Sequence, residues 1–202
     1  MTPFTTLEAV AVPLPQSDIN TDQILPGRFL RKQRAEGFGQ YFFHDLRFSE
    51  DGSELPGFIL NRPAYRRAQI TVSGANFGCG SSREMAVWAV GDYGVRALVA
   101  PSFGDIFRAN CIRNALLPVV LPAGVVQGLL DQLAQAPGST IAVDLPQQTV
   151  TGADGRPHGF DIDPFHKKCL VQGIDGLDYT LRLADRITAY ESRSRDEALA
   201  QR

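Results

Sequence analysis

The sequence predicts an α/β fold on three observations. Through the middle of the chain, short apolar runs rich in β-branched residues alternate with helical patterns that begin or end at capping residues. After Gly138 the pattern changes to two short strand-like runs separated by turn residues, which is typical of a hairpin. Apolar residues make up 44% of the chain and charged residues 21%, which is the composition of a protein with a hydrophobic core. We therefore expect a single domain over residues 1–202.

The first part of the chain combines one strand with irregular segments. Residues 6–14 are apolar and rich in small and β-branched residues, which predicts a first strand. Residues 17–22 are polar turn formers, and a short helical turn is expected near Gln23. Residues 27–40 carry several basic side chains between glycines and have no regular period. We expect either a mobile loop that closes over an anionic ligand or a partner, or a solvated surface loop.

Strands and helices alternate in the rest of the chain. The predicted strands are residues 69–72, 95–100, 116–121, 140–145 and 148–150. The predicted helices are residues 82–93 closed by Gly94, 102–114 capped by Ser102, 123–135, 163–172 before Gly173, and 177–193, followed by a polar C-terminal tail.

Charge and hydropathy exclude several classes of partner. The net charge is −2 and the pI is near 5.9, so no basic surplus exists for nucleic acid or an anionic membrane. Residues 1–10 lack the pattern of a signal peptide. The most apolar run, residues 115–126, is too short to span a bilayer and contains Pro118 and Pro122. We expect a soluble protein of the cytoplasm.

The cysteines do not form a metal-binding pattern. Cys79, Cys111 and Cys169 are widely spaced and include no Cys-x-x-Cys pair. We therefore expect the chain to bind no metal by itself. Cys111 and Cys169 are expected to be reduced, partly buried residues.

The stretch of residues 76–84 carries the clearest chemical signal. Its glycines let a ligand approach the backbone, and the start of the following helix offers free amides and the positive end of the helix dipole. Ser81, Ser82 and Arg83 add two hydroxyls and a planar donor group, which together suit a carboxylate or phosphate. The residues alone also permit a simple helix cap with Arg83 paired to a surface carboxylate. The stretch fits neither a phosphate-binding P-loop nor a dinucleotide fingerprint nor a serine-hydrolase nucleophile turn.

Several motifs in order along the chain carry a resemblance to a known family. They are residues 18–26 (DINTDQILP), 76–84 (NFGCGSSRE) and 100–107 (APSFGDIF), followed by Asn110, Asn114, Leu117-Pro118, Asp163-Pro164-Phe165, Cys169-Leu170 and Gly173. Together they resemble the small subunits of the bacterial 3-isopropylmalate dehydratases, in the aconitase superfamily. The resemblance covers nearly the whole chain, and the Gly-Ser-Ser-Arg-Glu loop is specific to that superfamily.

The resemblance implies a fold, a partner and a reaction. The fold would be a swivelling β/β/α domain with a mixed sheet flanked by helices. This domain would close on a large subunit that carries a [4Fe–4S] cluster on its own cysteines, and the two chains would form a heterodimer. The reaction would be that of a hydro-lyase of leucine biosynthesis, which interconverts 2-isopropylmalate and 3-isopropylmalate through 2-isopropylmaleate.

The resemblance also assigns roles to the residues of the serine loop. Ser81 would be the general base that removes a proton from the carbon beside a substrate carboxylate. Arg83 and the loop amides would stabilise the alkoxide and the developing negative charge. Ser82 would donate a hydrogen bond to the same carboxylate, and Gly80 would let the substrate approach the backbone.

The basic segment lies where this family recognises the rest of the substrate. Phe29 and Leu30 are expected to contact the isopropyl group, and Arg31 or Arg28 the second carboxylate.

Three departures from the family pattern leave alternatives open. The family commonly has histidine at the position of Met85 and asparagine at the position of Gln172, and residues 176–179 (GLDY) differ from its more usual Ile-Gly step. A paralogous small subunit of a citraconate or dimethylmalate hydratase would fit the same residues, as would a non-catalytic subunit that binds a dicarboxylate. An enzyme that needs no partner is disfavoured, because a chain without a metal has no evident means of expelling hydroxide.

Overall fold

The computed structural model describes the backbone of residues 1–200 and the side chains of residues 1–194. The strands are β1 (Thr6–Leu14), β2 (Ile70–Ser73), β3 (Ala97–Ala100), β4 (Leu117–Val120), β5 (Thr140–Asp144), β6 (Thr149–Thr151) and β7 (Pro157–Gly159). The helices are α1 (Thr21–Ile24), α2 (His44–Arg47), α3 (Glu84–Tyr93), α4 (Asp105–Arg113), α5 (Ala123–Gln135), α6 (Pro164–Gln172), α7 (Gly176–Leu181) and α8 (Ala184–Ala200). Short 3₁₀ turns occupy much of the segment between α1 and β2.

All seven strands belong to one mixed sheet of order β4-β3-β2-β1-β5-β6-β7. Strands β1 to β4 are parallel, and β5 to β7 are antiparallel. Strand β1 joins the two parts, because residues 11–14 pair with β2 while residues 6–10 pair with β5. The predicted α/β class and the mixed sheet are confirmed.

The parallel strands are buried on both faces by helices. Leu98 and Ala100 belong to the apolar cluster that includes the buried side of α3. Ala97 and Val99, which alternate with them along β3, belong to the cluster that includes α5. Since successive side chains of a strand point to opposite faces, this explains why the parallel strands are continuous apolar runs in the sequence.

Several predicted boundaries were wrong. Helix α3 begins at Glu84 instead of residue 82, and α4 begins at Asp105 instead of residue 102. Strand β7 was not predicted, because the run of residues 157–159 is too short and too polar to stand out.

The predicted helix over residues 177–193 is two helices. Leu183 donates its backbone N–H to the Thr180 carbonyl at 2.9 Å, a hydrogen bond three residues back that ends α7. No glycine or proline marks this break in the sequence. The expected polar tail is helical as far as Ala200, and residues 201–202 lie outside the described residues. Among the described residues, no helix has the length and apolar character needed to cross a membrane.

Candidate functional site

Three loops lie side by side at the carboxyl ends of the parallel strands β1, β2 and β3. They comprise residues 15–22, 74–83 and 101–104, and residues 74–83 are called the serine loop below. Gly78 donates its N–H to the Ile19 carbonyl at 2.7 Å, and Thr21 donates its N–H to the Cys79 carbonyl at 2.9 Å. The carboxyl edge of a parallel sheet is where open α/β folds bind ligands. The fold therefore brings motifs that are distant in sequence to one edge.

The third loop is joined to the other side of the serine loop. Phe77 donates its N–H to the Ser102 carbonyl at 3.1 Å, and Gly104 donates its N–H to the Phe77 carbonyl at 2.9 Å. The Ser102 hydroxyl accepts a hydrogen bond of 2.8 Å from the Asn76 N–H. Ser102 therefore links two loops. The prediction that it caps α4 was wrong.

Two glycines allow these loops to approach closely. Gly78 has a φ of +74°, and a Cβ there would lie 2.2 Å from Phe107 Cγ, beneath the loop. A Cβ on Gly104 would lie 2.6 Å from the Gly78 carbonyl oxygen. Any side chain at either position would push α4 away from the serine loop.

The two serines are exposed at the outer edge of the serine loop. The Thr21 hydroxyl donates to the Ser81 carbonyl at 2.9 Å, which fixes the backbone of Ser81. Gly80, just before it, turns the chain with a φ of +91°. Within the described part of the chain, neither the Ser81 nor the Ser82 hydroxyl makes a hydrogen bond. Both hydroxyls are free to meet a ligand.

Arg83 lies at the start of α3 as its N-cap residue, and none of the side chains that the structure describes caps this helix. The first amides of α3 therefore point outward without an intrahelical partner. The Arg83 guanidinium pairs with Asp22, a residue at the start of α1, and the Arg83 side chain is only 20% exposed. Sequence reasoning included Asp22 in a motif but gave it no role. The repeated acidic and hydroxyl residues of that motif were the signal in the sequence that could have indicated a role for Asp22.

Arg28 is hydrogen-bonded to side chains of α2. Its guanidinium forms two hydrogen bonds with Asp45, one of 2.8 Å, and lies 3.3 Å from His44 Nδ1. The hydrogen bond from Arg28 lowers the pKa of the Asp45 carboxyl below its usual value and raises the pKa of Arg28. Arg28 is therefore already neutralised by a carboxylate.

Phe29 and Leu30 are only partly exposed. The Phe29 ring stacks on Tyr41 with the ring centres 4.2 Å apart and the planes at 18°. Leu30 packs against the apolar cluster beneath α3. Each side chain thus has one side held by the protein and the other side accessible.

Arg31 differs from the other basic residues of the segment that comprises residues 27–40, called the basic loop below. Lys32 pairs with Glu36 at 3.7 Å, and Arg34 pairs with Asp92. Arg31 is exposed, and it has no ion pair among the described side chains. It is therefore the basic side chain of this loop that can receive an anion without breaking an existing pair.

The basic loop begins beside the serine loop. A Cβ on Gly27 would lie 3.7 Å from Asp22 Oδ1 and 3.8 Å from Arg83 Nη1. The first residue of the basic loop thus lies beside the arginine of the serine loop. Ser81, Ser82 and Arg83 are thus consecutive residues at this edge of the sheet, and the basic loop starts beside them.

A cleft of about 640 Å³ opens on the other side of Arg28. It is lined by Arg28, Phe29, His44, Asp45, Phe48, Ser49 and Glu50. The two carboxylates in this lining make the cleft a poor site for a dicarboxylate, because like charges repel. The exposed edge at Ser81 is the better candidate.

The cysteines do not meet in the fold. Cys111 and Cys169 are buried, and burial raises the pKa of each thiol. Cys79 is partly buried in the serine loop. Among the described residues, no group of three or more His, Cys, Asp or Glu side chains could hold a metal ion.

Comparisons with known proteins agree on one family. Residues 1–124 match the family model of the aconitase C-terminal domain, and residues 127–164 match a family model described as LeuD_N. The 3-isopropylmalate dehydratase small subunit of Paramagnetospirillum magneticum is 49% identical over 191 residues, which cover 95% of each chain. The protein of the same name from Jannaschia sp. is 46% identical and covers 96% of each chain.

A solved structure supports the same fold. The crystal structure of 3-isopropylmalate dehydratase (leuD) from Methanocaldococcus jannaschii superposes with a TM-score of 0.65. The match covers 92% of this chain and 99% of that chain, at 22% sequence identity. At this identity the likeness concerns the fold.

Proposed function

Because the chain belongs to the family of 3-isopropylmalate dehydratase small subunits, we propose that it completes the active site of a two-subunit hydro-lyase. The substrates are 2-isopropylmalate and 3-isopropylmalate, which interconvert through 2-isopropylmaleate. The pathway is leucine biosynthesis, and the expected compartment is the cytoplasm.

The observation that carries this proposal is the pair of exposed, unbonded serine hydroxyls beside Arg83 and the uncapped start of α3. A substrate carboxylate bound there would accept hydrogen bonds from the Ser82 hydroxyl and the free amides. The Arg83 guanidinium gives Asp22 one hydrogen bond, through Nη1, whereas Arg28 gives Asp45 two. The remaining N–H groups of Arg83 and the positive end of the helix dipole would stabilise the charge of the substrate carboxylate. Neutralising the carboxylate makes the proton on the adjacent carbon more acidic.

Ser81 is the proposed base that takes this proton. The Ser81 oxygen accepts the proton from carbon, the electron pair of the broken C–H bond forms the double bond, and hydroxide leaves from the neighbouring carbon. Hydration runs through the same steps in reverse. A serine alkoxide needs nearby positive charge, which Arg83 and the backbone amides supply. Gly80 leaves the approach to these amides open.

The basic loop is the proposed contact for the rest of the substrate. The accessible sides of Phe29 and Leu30 suit the apolar isopropyl group. Arg31 suits the second carboxylate better than Arg28 does, since Arg28 is already paired with Asp45.

The proposed partner is a large subunit that carries a [4Fe–4S] cluster. When bound, that cluster supplies the Lewis acid that receives the leaving hydroxide. The cysteines of this chain do not fit as its ligands, because two of the three are buried. The exposure of Ser81 and Ser82 supports a site that a second protein surface closes.

The departures at Met85 and Gln172 leave Ser81, Ser82 and Arg83 unchanged. Met85 is partly buried and packs against the apolar cluster of the core. Gln172 accepts a hydrogen bond of 3.2 Å from Arg182 at the end of α6. Neither position alters the groups assigned to proton transfer.

The test is hydration of 2-isopropylmaleate, followed as the loss of its ultraviolet absorbance. The full chain is mixed anaerobically with its cognate large subunit, and each chain is also assayed alone. We expect activity only with both chains. Activity of this chain alone would contradict the two-subunit proposal, and turnover of citraconate or a dimethyl analogue in place of 2-isopropylmaleate would move the enzyme to another pathway.

A further inference from the structure

Asp92, near the end of α3, holds the middle of the basic loop. Its carboxylate accepts two hydrogen bonds from the Arg34 guanidinium, one of 2.9 Å, and a third of 2.7 Å from the Phe38 backbone N–H. A carboxylate with a paired arginine and a backbone amide is a strong, directional anchor. The loop is thus fixed to the helix whose other end begins at the serine loop.

The loop backbone lies directly on α3 at this anchor. A Cβ on Gly39 would lie 2.5 Å from the Asp92 carbonyl oxygen and 2.7 Å from the Tyr93 nitrogen. The close approach requires glycine. The position of Phe38 and Gly39 relative to α3 is therefore set by contact as well as by charge.

Trp88, one helical turn before Asp92, supports the same segment. The Arg34 guanidinium lies 5.1 Å from the Trp88 ring centre, and the Phe38 ring meets Trp88 edge to face at 5.6 Å. The indole N–H donates to Asn114 Oδ1 at 3.0 Å, which fixes the ring. The anchor is thus part of a packed and hydrogen-bonded group.

A run of aromatic rings connects the anchor to the proposed substrate contact. Phe38, which is fully buried, meets Tyr41 edge to face at 6.1 Å. Tyr41 stacks on Phe29 at 4.2 Å. Since packed interiors transmit small displacements, a shift of Phe38 would move Phe29.

We propose that Asp92 is a positioning residue that sets selectivity for the side group of the substrate. It holds the segment of residues 34–39 so that Tyr41 keeps Phe29 in place against that group. This inference rests on the proposed function, in which Phe29 and Leu30 contact the isopropyl group.

The test compares two substrates that share both carboxylates and differ in the side group, 2-isopropylmaleate and citraconate. Asp92→Asn keeps the size of the side chain and removes its charge. With the reconstituted pair we expect the KM for 2-isopropylmaleate to rise roughly tenfold. The kcat and the kinetics with citraconate should stay near the wild-type values, so that the preference for the larger side group falls.

Four further variants separate positioning from a general loss of structure. Arg34→Gln should reproduce the change in preference, and the double variant with Asp92→Asn should be little worse than either single variant, because each change breaks the same Arg34–Asp92 ion pair. Asp92→Glu should restore part of the preference. Glu54→Gln removes a comparable exposed pair with Arg66 and should change neither constant.

Two outcomes would overturn the inference. Equal losses with both substrates would mean that Asp92 acts only on stability, and an unchanged preference in Asp92→Asn would remove its role while leaving the proposed function intact. An inactive wild-type pair on both substrates would overturn the proposed function itself, and the inference with it.

Discussion

At the scale of single residues, the position of Ser81 depends on its backbone. Its carbonyl accepts a hydrogen bond from the buried Thr21, while its hydroxyl makes no hydrogen bond within the described part of the chain. Removal of the hydroxyl should therefore leave the loop in place.

We expect Ser81→Ala to lower kcat of the reconstituted pair by about 10²–10⁴-fold, because the proton acceptor is lost. Substrate binding and assembly with the large subunit should persist, as measured by calorimetry with 2-isopropylmalate and by gel filtration. Ser82→Ala is the matched variant, and its main effect should be on KM. Undiminished turnover in Ser81→Ala would mean that another group is the base. Binding without any turnover in the wild-type pair would favour the non-catalytic alternative.

Gly78 offers a second test at this scale. Gly78→Ala should lower the free energy of unfolding by about 1–2 kcal/mol for the left-handed backbone and by about 1–3 kcal/mol more for the overlap with Phe107. Gly155→Ala is the matched control, since its φ is +71° and no atom lies within 4 Å of the added Cβ. Urea denaturation of both variants measures the difference. Equal losses would show that α4 moves aside without cost.

At the scale of elements, the basic loop separates two arginines that the sequence could not distinguish. Arg28 and Arg31 have the same charge and are three residues apart in the sequence. The partner that neutralises Arg28 is Asp45, on α2, a helix that no period in the sequence marked. Ion pairs of this kind depend on tertiary structure.

We expect Arg31→Gln to raise the KM for 2-isopropylmalate about 10- to 100-fold, as the loss of a charged hydrogen bond to a carboxylate does. Arg28→Gln should raise it far less, because that guanidinium already has a partner. Steady-state kinetics of the two variants shows whether Arg31 or Arg28 contacts the second carboxylate. A larger effect for Arg28→Gln would require the Arg28–Asp45 pair to open when substrate binds.

The helix starts show why capping rules were insufficient here. Serine is a preferred cap, which predicted starts at residues 82 and 102. In the structure, the Ser102 side-chain oxygen accepts a hydrogen bond from the Asn76 N–H of a neighbouring loop. Arg83 has an extended backbone, with φ −127° and ψ 101°, so that the helix cannot include it. A tertiary hydrogen bond thus occupies the predicted cap of α4, and the extended backbone of Arg83 delays the start of α3.

At the scale of the whole molecule, the strands and helices with a regular apolar period were the most predictable. The parallel strands and helix α5 follow from apolar periods that any α/β core needs, and α5 has the predicted bounds of residues 123–135. The meeting of the serine loop with residues 18–22 follows from the parallel order of β1 and β2. The partners of Arg83 and Arg34 could not be predicted, since each ion pair joins residues about 60 positions apart in the sequence.

The double pairing of β1 also bears on how the chain folds. Val10 pairs with Thr140 and Thr6 with Asp144. Residues 6–10 of β1 therefore cannot pair until β5 has been synthesised, more than 120 residues later. The parallel partner, β2, arrives much sooner. Contacts between such distant residues slow folding, because a long loop must close before they form. During synthesis, the parallel half with its serine loop can assemble first, while residues 6–10 remain an open strand edge that invites pairing with other chains.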